Sequence, residues 1–433
     1  MGASTWKFGG YCLAARLVAL CLFIGPDASY AENWPQWRGL SNNGLSSAKN
    51  LPDTWDQETN LAWRLPLPGA AGATPVIWKD KIFLTSSAEQ DLVLICISTQ
   101  GKELWRRTVA SGNRPVHGSD QTGEGNSASP SPTTDGKYVW AMMGTGKLAC
   151  FDFDGEEIWK LDLQEKYGKF QIQFGMASTP ALDGDTLYVQ LLHNAGAVVA
   201  ALDKATGQEK WRIDRKSDAI EECKDSYASP IVYRDAEQAF LITHGADYTI
   251  GHDLTDGTEL WRLGGLNGAG QQYNPTLRFV ASPVAVPGLI VVPSAKNGPV
   301  VALRPKKAGD LTNDFLWKMP RNTPDVPSPL IHDGLVYLCR EQGTLIVLDA
   351  ESGEKLYEER IHEFNHRASP VAADGKLYLS GRDGTVNVIK LGRTYQRLAT
   401  NKFDEPLAAS PAIADGVIYF RTFKALYAVR SRE

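Results

Sequence analysis

Residues 362–366 have the sequence His-Glu-Phe-Asn-His, which matches the spacing of a zinc-protease signature. In that chemistry two histidines one helical turn apart bind the metal, the glutamate acts on a metal-bound water, and a third ligand follows downstream. The five residues stand directly before the segment 367–370, which leaves too little chain for a regular helix. We therefore interpret the match as a chance similarity in a loop, whose histidines could hold an adventitious metal.

The other potential nucleophiles form no recognisable catalytic motif. Seven histidines leave a Ser-His-Asp triad open, but no Gly-x-Ser-x-Gly elbow is present. The glycine-rich residues 264–270 follow no strand of a βαβ unit, so we expect no nucleotide site there. Cysteines beyond residue 31 show no CxxC, CC or CxxCH spacing, so we expect no disulfide framework, and their redox state stays open. These cysteines are Cys96, Cys150, Cys223 and Cys339.

Two long segments, residues 111–127 and 264–279, carry polar side chains. Long loops inside a compact fold are usually functional or disordered. We expect them to emerge on one face, at the mouth of a central channel, as either a solvated rim or a mixed-charge pocket or docking face. The candidate binding residues on this face are Arg114, His117, Asp120, Asn274, Arg278, Arg321, Asp325, His366 and Arg367.

A repeat positions these loops. A Ser or Thr directly before Pro recurs along the chain, and the eight prolines that we assign to the repeat, from Pro75 to Pro411, are 48 residues apart on average. Most copies precede an apolar strand, a turn such as Asp183-Gly184 and a second strand, which is a strong hairpin signal. The eight copies are Thr74-Pro75, Ser129-Pro130, Thr179-Pro180, Ser229-Pro230, Ser282-Pro283, Ser328-Pro329, Ser369-Pro370 and Ser410-Pro411.

A second signature places a glycine four residues before an aromatic residue, and its fullest copy ends residues 201–211. The glycine permits a tight turn into a last strand, and the aromatic ring can wedge against the neighbouring unit. Each unit is thus predicted to have four antiparallel strands, and such units bury both faces by stacking radially around a channel. In two copies Cys96 and Cys150 stand where Ala201 stands in the fullest copy, and we interpret them as buried space-fillers.

Counting the strands predicts how the ring closes. The eighth unit runs from Pro411 to about Val429, which leaves room for three strands, and a spare strand candidate lies at residues 61–64. The predicted fold is all-β, a single eight-bladed β-propeller over residues 32–433, closed by an N-terminal strand that pairs into the last blade. Residues 32–72 form the N-terminal arm and closing strand, and we expect a monomer.

The first 31 residues have the features of a secretory signal peptide. Lys7 and Arg16 precede an apolar run over residues 17–24, and small residues flank a cleavage position after Ala31. We predict an exported protein, periplasmic or extracellular, with no transmembrane segment after cleavage. The chain has 45 Lys plus Arg and 50 Asp plus Glu, and removing Lys7, Arg16 and Asp27 leaves a net charge of −6. A mildly acidic body without a basic block argues against nucleic acid as a partner.

The segment 201–211 resembles the tryptophan-docking repeat of quinoprotein (PQQ-dependent) alcohol dehydrogenases and of the related outer-membrane-assembly propeller lipoprotein. A resemblance to secreted PQQ-binding-like β-propeller repeat proteins covers nearly the whole mature chain. It rests on the opening at residues 33–39, on residues 65–69, and on the closing segment 404–422. These motifs are specific for the fold and not for an activity.

The resemblance to quinoprotein dehydrogenases implies a vicinal cysteine pair, a Ca²⁺ ion and a catalytic aspartate. This chain has no vicinal pair and no room for the large loops that form those active sites. We therefore expect no cofactor, and a binding or scaffold module rather than an enzyme, whose ligand is an unknown protein, polysaccharide or small molecule. The alternative is a PQQ-dependent oxidoreductase that uses PQQ with Ca²⁺ on alcohols or sugars.

Overall fold

The structure is a computed structural model that describes residues 1–3, 5, 32–113, 126–267, 272–306 and 308–432. The chain divides into two compact units, residues 1–31 and residues 32–433. The second unit is all-β, and its strands form eight sheets.

Each sheet is one blade, with its strands in sequence order except in the last. Blade 1 contains β2 (Val76–Trp78), β3 (Lys81–Ala88), β4 (Asp91–Ser98) and β5 (Glu103–Ser111), and blade 2 contains β6 (Thr133–Thr134), β7 (Tyr138–Met142), β8 (Lys147–Asp152) and β9 (Glu157–Asp162). Blade 3 contains β10 (Ala181–Asp183), β11 (Thr186–His193), β12 (Gly196–Asp203) and β13 (Glu209–Asp214). Blade 4 contains β14 (Ile231–Arg234), β15 (Ala239–Gly245), β16 (Tyr248–His252), β17 (Glu259–Leu263) and the added short strand β21 (Gly309–Asp310).

The second half repeats this plan. Blade 5 contains β18 (Val284–Val286), β19 (Leu289–Val292), β20 (Val300–Leu303) and β22 (Trp317–Met319), and blade 6 contains β23 (Leu330–His332), β24 (Leu335–Arg340), β25 (Thr344–Asp349) and β26 (Lys355–Arg360). Blade 7 contains β27 (Val371–Ala373), β28 (Lys376–Ser380), β29 (Thr385–Lys390) and β30 (Arg397–Lys402). Blade 8 contains β31 (Ala412–Ala414), β32 (Val417–Arg421), β33 (Ala425–Val429) and β1 (Leu61–Pro66).

The predicted closure is confirmed. Strand β1 pairs antiparallel with β33, with Leu65 opposite Leu426, so an N-terminal strand supplies the fourth strand of the last blade. The eight-bladed all-β fold predicted from the repeat is therefore the observed one. Within the described residues, the helical elements are α1 (Leu163–Tyr167), capped by Asp162, and a 3-10 turn at Glu221–Lys224. Among the described residues, no helix is long and apolar enough to cross a membrane.

Tryptophans join neighbouring blades as predicted. A Cβ added to Gly207 of blade 3 would lie 2.8 Å from the Trp159 ring of blade 2, and the Trp159 Nε1 donates to the Lys204 carbonyl at 3.0 Å. The glycine is therefore needed because an indole from the preceding blade occupies the space of its side chain. The same contact joins Trp63 to Gly101, Trp105 to Gly155, Trp211 to Gly257 and Trp317 to Gly353.

The repeated hydroxyl residues form a chain of hydrogen bonds from blade to blade. In each link a backbone N–H donates to the next hydroxyl oxygen at 2.9–3.0 Å. In blade 2 the linking residue is Ser131, so the register predicted with Ser129 is wrong by two residues, because residues 129–132 contain the Ser-Pro pair twice. The links connect Thr74, Ser131, Thr179, Ser229, Ser282, Ser328, Ser369 and Ser410 in that order.

Antiparallel strand order gives the propeller two distinct faces. The connections between blades and the turns between second and third strands lie on one side, which we call the loop face. The turns between first and second strands and between third and fourth strands lie on the other side, which we call the turn face. Asp333 and Gly334, with φ of 47° and 69°, form one such turn, as the Asp-Gly pattern predicts.

The N-terminal arm packs on the inner strands from the turn-face side. Trp34 pairs with Ile77 of β2 through two backbone hydrogen bonds of 2.9 and 2.8 Å. The Glu32 backbone N–H donates to Asp415, which lies in a turn of the turn face, at 2.6 Å. Because the inner strands surround the channel, the arm occupies its turn-face end.

Arg38 anchors the arm. Its side chain is 1% exposed and donates to the carbonyls of Pro329 and Pro370, both at 2.7 Å, and of Asn43 at 3.0 Å. Burial lowers the pKa of Arg38 to about 9. Three backbone carbonyls thus solvate the guanidinium group in place of water.

Candidate functional site

The loop face brings together part of the residue set that the sequence predicts. Arg114, His117 and Asp120 lie outside the described residues. Asn274 shapes its own loop, because its Oδ1 accepts from the Thr276 N–H and hydroxyl at 3.0 and 2.8 Å.

A buried acidic pair joins two of the predicted residues. Asp325, on the connection after β22, interacts with Glu341 in the turn after β24, and Glu341 forms a 2.8 Å ion pair with Arg367. Asp325 and Glu341 are only 5% and 8% exposed. Burial, a hydrogen bond with Glu341 and the charge of that carboxyl raise the pKa of Asp325 to about 6. Arg321 is exposed on the same connection as Asp325.

Arg278 lies between this acidic pair and a second group of residues, Phe174 and Glu222. Its guanidinium stacks 4.7 Å from the centre of the Phe174 ring and lies 3.5 Å from the Glu222 carboxylate. It also acts electrostatically on Asp325, so Arg278 faces both groups. Glu222 and Glu341 were missed in the sequence, since nothing distinguishes them from other charged turn residues.

His366 is a buried, uncharged histidine and does not belong to the charged groups around Arg278 and Glu341. It is fully buried, its Nδ1 lies 3.1 Å from the Phe364 carbonyl, and burial lowers its pKa to about 4. His362 instead pairs with Asp383 at 3.0 Å. Residues 361–370 contain no helix, and no group of three or more His, Cys, Asp or Glu among the described residues is placed to hold a metal. The interpretation of the zinc-protease match as a loop is confirmed.

A cavity of about 520 Å³ opens on the loop face between blades 3 and 4. Its walls come from the connection after α1, the turn after β11 and the connection after β13. Of the described residues, three carboxylates and no lysine or arginine line it. The lining residues are Gln171, Ile172, Gln173, Asn194, Glu221, Glu222 and Asp225.

Large apolar side chains are exposed on the same face. Ile220, Tyr273 and Phe364 are 49%, 40% and 59% exposed and belong to three different connections between blades. The Ile220 backbone N–H donates to the Tyr273 hydroxyl at 3.4 Å, so Tyr273 reaches Ile220, which directly precedes the cavity-lining Glu221. Exposed apolar residues that cluster beside polar ones are typical of interaction sites.

The four cysteines of the described residues form no disulfide. Cys96, Cys150, Cys223 and Cys339 are buried free thiols. Burial raises the pKa of Cys96 and of Cys150 to about 12, which keeps them protonated and unreactive. Their interpretation as buried space-fillers agrees with these positions.

The cavity residues do not fit PQQ with Ca²⁺. PQQ carries three carboxylates, whereas this cavity presents three carboxylates of its own and no cationic side chain. Like charges that meet in a partly buried site repel each other. The planar cofactor would also need a flat aromatic wall, and the lining residues that the structure describes include no aromatic side chain.

Comparisons with known proteins agree on the fold. A family model described as outer membrane protein assembly factor BamB matches residues 55–245 and again 144–393. BamB from Moraxella catarrhalis is similar with a TM-score of 0.61 at 13% identity, over 86% of this chain and 98% of that one. No curated protein matches.

Quinoprotein enzymes share the fold as well. A europium-containing methanol dehydrogenase has a TM-score of 0.67 at 12% identity, over 92% of this chain and 90% of that one. The quinohemoprotein alcohol dehydrogenase of Comamonas testosteroni has the same TM-score at 13% identity, over 93% and 81%. At these identities the likeness extends to the fold alone.

Proposed function

We propose that this chain, which belongs to the family described as outer membrane protein assembly factor BamB, is an exported scaffold that binds a partner protein through its loop face. The family description names an assembly role, and assembly requires contact with other proteins. A PQQ-like β-propeller that exposes apolar side chains on its loop face is suited to such contact.

The observation that carries the proposal is the difference between the two faces. On the loop face, Ile220, Tyr273 and Phe364 are exposed beside the charged groups that centre on Arg278 and Glu341. Protein interfaces combine apolar anchors with a polar rim in this way. On the turn-face side, the N-terminal arm occupies the channel, so that end is already filled by the chain itself.

Export follows from the first 31 residues, whose basic start, apolar run and small residues at the cleavage position are typical of a signal peptide. The compact propeller begins at Glu32, directly after the proposed cleavage position. The proposed location is the periplasm or the extracellular space.

Site-specific photo-crosslinking tests this proposal. A photoreactive phenylalanine analogue replaces Tyr273 or Phe364 on the loop face, or Phe315 on the turn face as a matched control that is 39% exposed. We expect the two loop-face positions to crosslink to the same protein in the producing cell and the control to give none. Crosslinks from Phe315 alone would contradict the proposal.

A further inference from the structure

The cavity between blades 3 and 4 has a buried negative charge at its base. Asp225 lines the cavity and is only 1% exposed. Its carboxylate accepts from the Gln173 N–H at 3.3 Å and the Asn194 amide at 3.4 Å, which are long hydrogen bonds. A buried carboxylate is normally paired with a cation, since burial alone disfavours its charged form.

No cation of the described residues compensates this charge. The groups that act on the pKa of Asp225 are its burial, the Gln173 and Asn194 hydrogen bonds and the carboxylate of Glu222, and none of them is positive. Arg278 forms an ion pair in this region, and its partner is Glu222 at 3.5 Å. The net result of burial is a pKa for Asp225 raised to about 6.

The shape around this carboxylate favours a polypeptide side chain. The cavity is open and about 520 Å³ in volume, which admits one long side chain together with its backbone. Ile172 lines its wall, and Ile220 and Tyr273 stand exposed beside it. A lysine has an apolar stem that suits such walls and a charged end that reaches the base.

We infer that this cavity binds a lysine side chain of the partner protein, with its ammonium group beside Asp225 and the neighbouring residues of the partner against Ile220 and Tyr273. The inference rests on the proposed function, and it names the chemistry that the loop face recognises. Asp225 supplies the charge, the Gln173 backbone N–H and the Asn194 side-chain amide orient it, and Glu222 is already paired with Arg278 at 3.5 Å.

Titration with short capped peptides tests the inference. The probes are acetyl-Leu-Lys-Leu-amide and the same peptide with Nε-acetyl-lysine, which keeps the length and removes the charge. We expect the charged peptide to bind the purified protein at least about tenfold more tightly than the acetylated one. In Asp225→Asn this preference should be lost, whereas Glu354→Gln, an exposed change of equal charge on the turn face, should retain it.

Several binding results would contradict the proposed lysine site, and they can be told apart. Equal binding of both peptides, an unchanged preference in Asp225→Asn, or no binding up to about 10 mM would overturn the inference. Butylammonium that binds as tightly as the charged peptide, with the same dependence on Asp225, would overturn the assignment to a polypeptide. Thermal unfolding of Asp225→Asn checks that the variant is folded. Loop-face crosslinks would still stand if the peptides failed, so the two proposals fail separately.

Discussion

Replacing Gly207 by alanine should destabilise the propeller more than replacing Gly334, although the two glycines have almost the same φ angle. Their φ angles are +70° and +69°, in the left-handed region that an alanine adopts only with strain. Gly334 has open space where a Cβ would be, whereas Gly207 faces the Trp159 ring at 2.8 Å. The pair thus separates backbone strain from the contact between blades.

The expected loss in the free energy of unfolding has two parts, backbone strain and the contact with the Trp159 ring. Backbone strain costs roughly 1–2 kcal/mol at either position. At Gly207 the added methyl group must also displace an indole whose Nε1 is hydrogen-bonded at 3.0 Å, and overpacking of this kind costs typically about 1–3 kcal/mol. We therefore expect a loss of about 2–5 kcal/mol for Gly207→Ala and about 1–2 kcal/mol for Gly334→Ala.

Urea denaturation followed by tryptophan fluorescence and circular dichroism measures both losses. The variant Trp159→Leu supplies the double-mutant cycle, because without the indole Gly207→Ala should cost no more than Gly334→Ala. Equal destabilisation by the two alanines in the unaltered protein would refute the docking argument.

Three further predictions concern charge, cofactor and thiols. Burial raises the pKa of Asp225 from its ordinary 3.8 to about 6, so the contribution of Asp225 to stability is present below pH 3.8 and is lost as pH rises through 6. Asp225→Asn should therefore gain stability relative to the unaltered protein over that pH window, by at most about 3 kcal/mol in the free energy of unfolding measured with urea. A difference between the two proteins that does not change with pH would contradict this prediction. Titration with PQQ plus Ca²⁺ should give no saturable absorbance change and no rise in melting temperature, and either change would restore the oxidoreductase alternative. Iodoacetamide should leave Cys96 and Cys150 unmodified in the native protein and label both in urea, as mass spectrometry would show, whereas rapid native labelling would contradict their burial.

Much of the fold could be predicted because the same turn and strand motifs occur in several units of the repeat. Asp-Gly turns, the glycine before each docking tryptophan and the strand missing from the eighth unit each have one simple structural solution. The register in blade 2 could not be fixed this way, since Ser129 and Ser131 both precede a proline and only the hydrogen bond from Thr74 distinguishes them. The path of the arm depends on Arg38 and its partners almost 300 residues or more away, which no local pattern encodes.

The candidate site was predicted less well. Arg278 acts on Asp325, and Asp325 and Arg367 both interact with Glu341, because strand order places the connections between blades on one side. The residues between them, Glu341 and Glu222, belong to turns whose sequence is ordinary. Folding places Glu341 beside Asp325 and Arg367, and Glu222 beside Arg278, although these residues are distant in the sequence.

Amide hydrogen exchange, measured with and without the protein recovered by crosslinking, tests the central claim most directly. Binding through the loop face predicts slower exchange in residues 171–173, 221–225 and 361–367, with the turns at 333–334 and 374–375 unchanged. Slower exchange confined to those turns, with the loop face unaffected, would contradict the account.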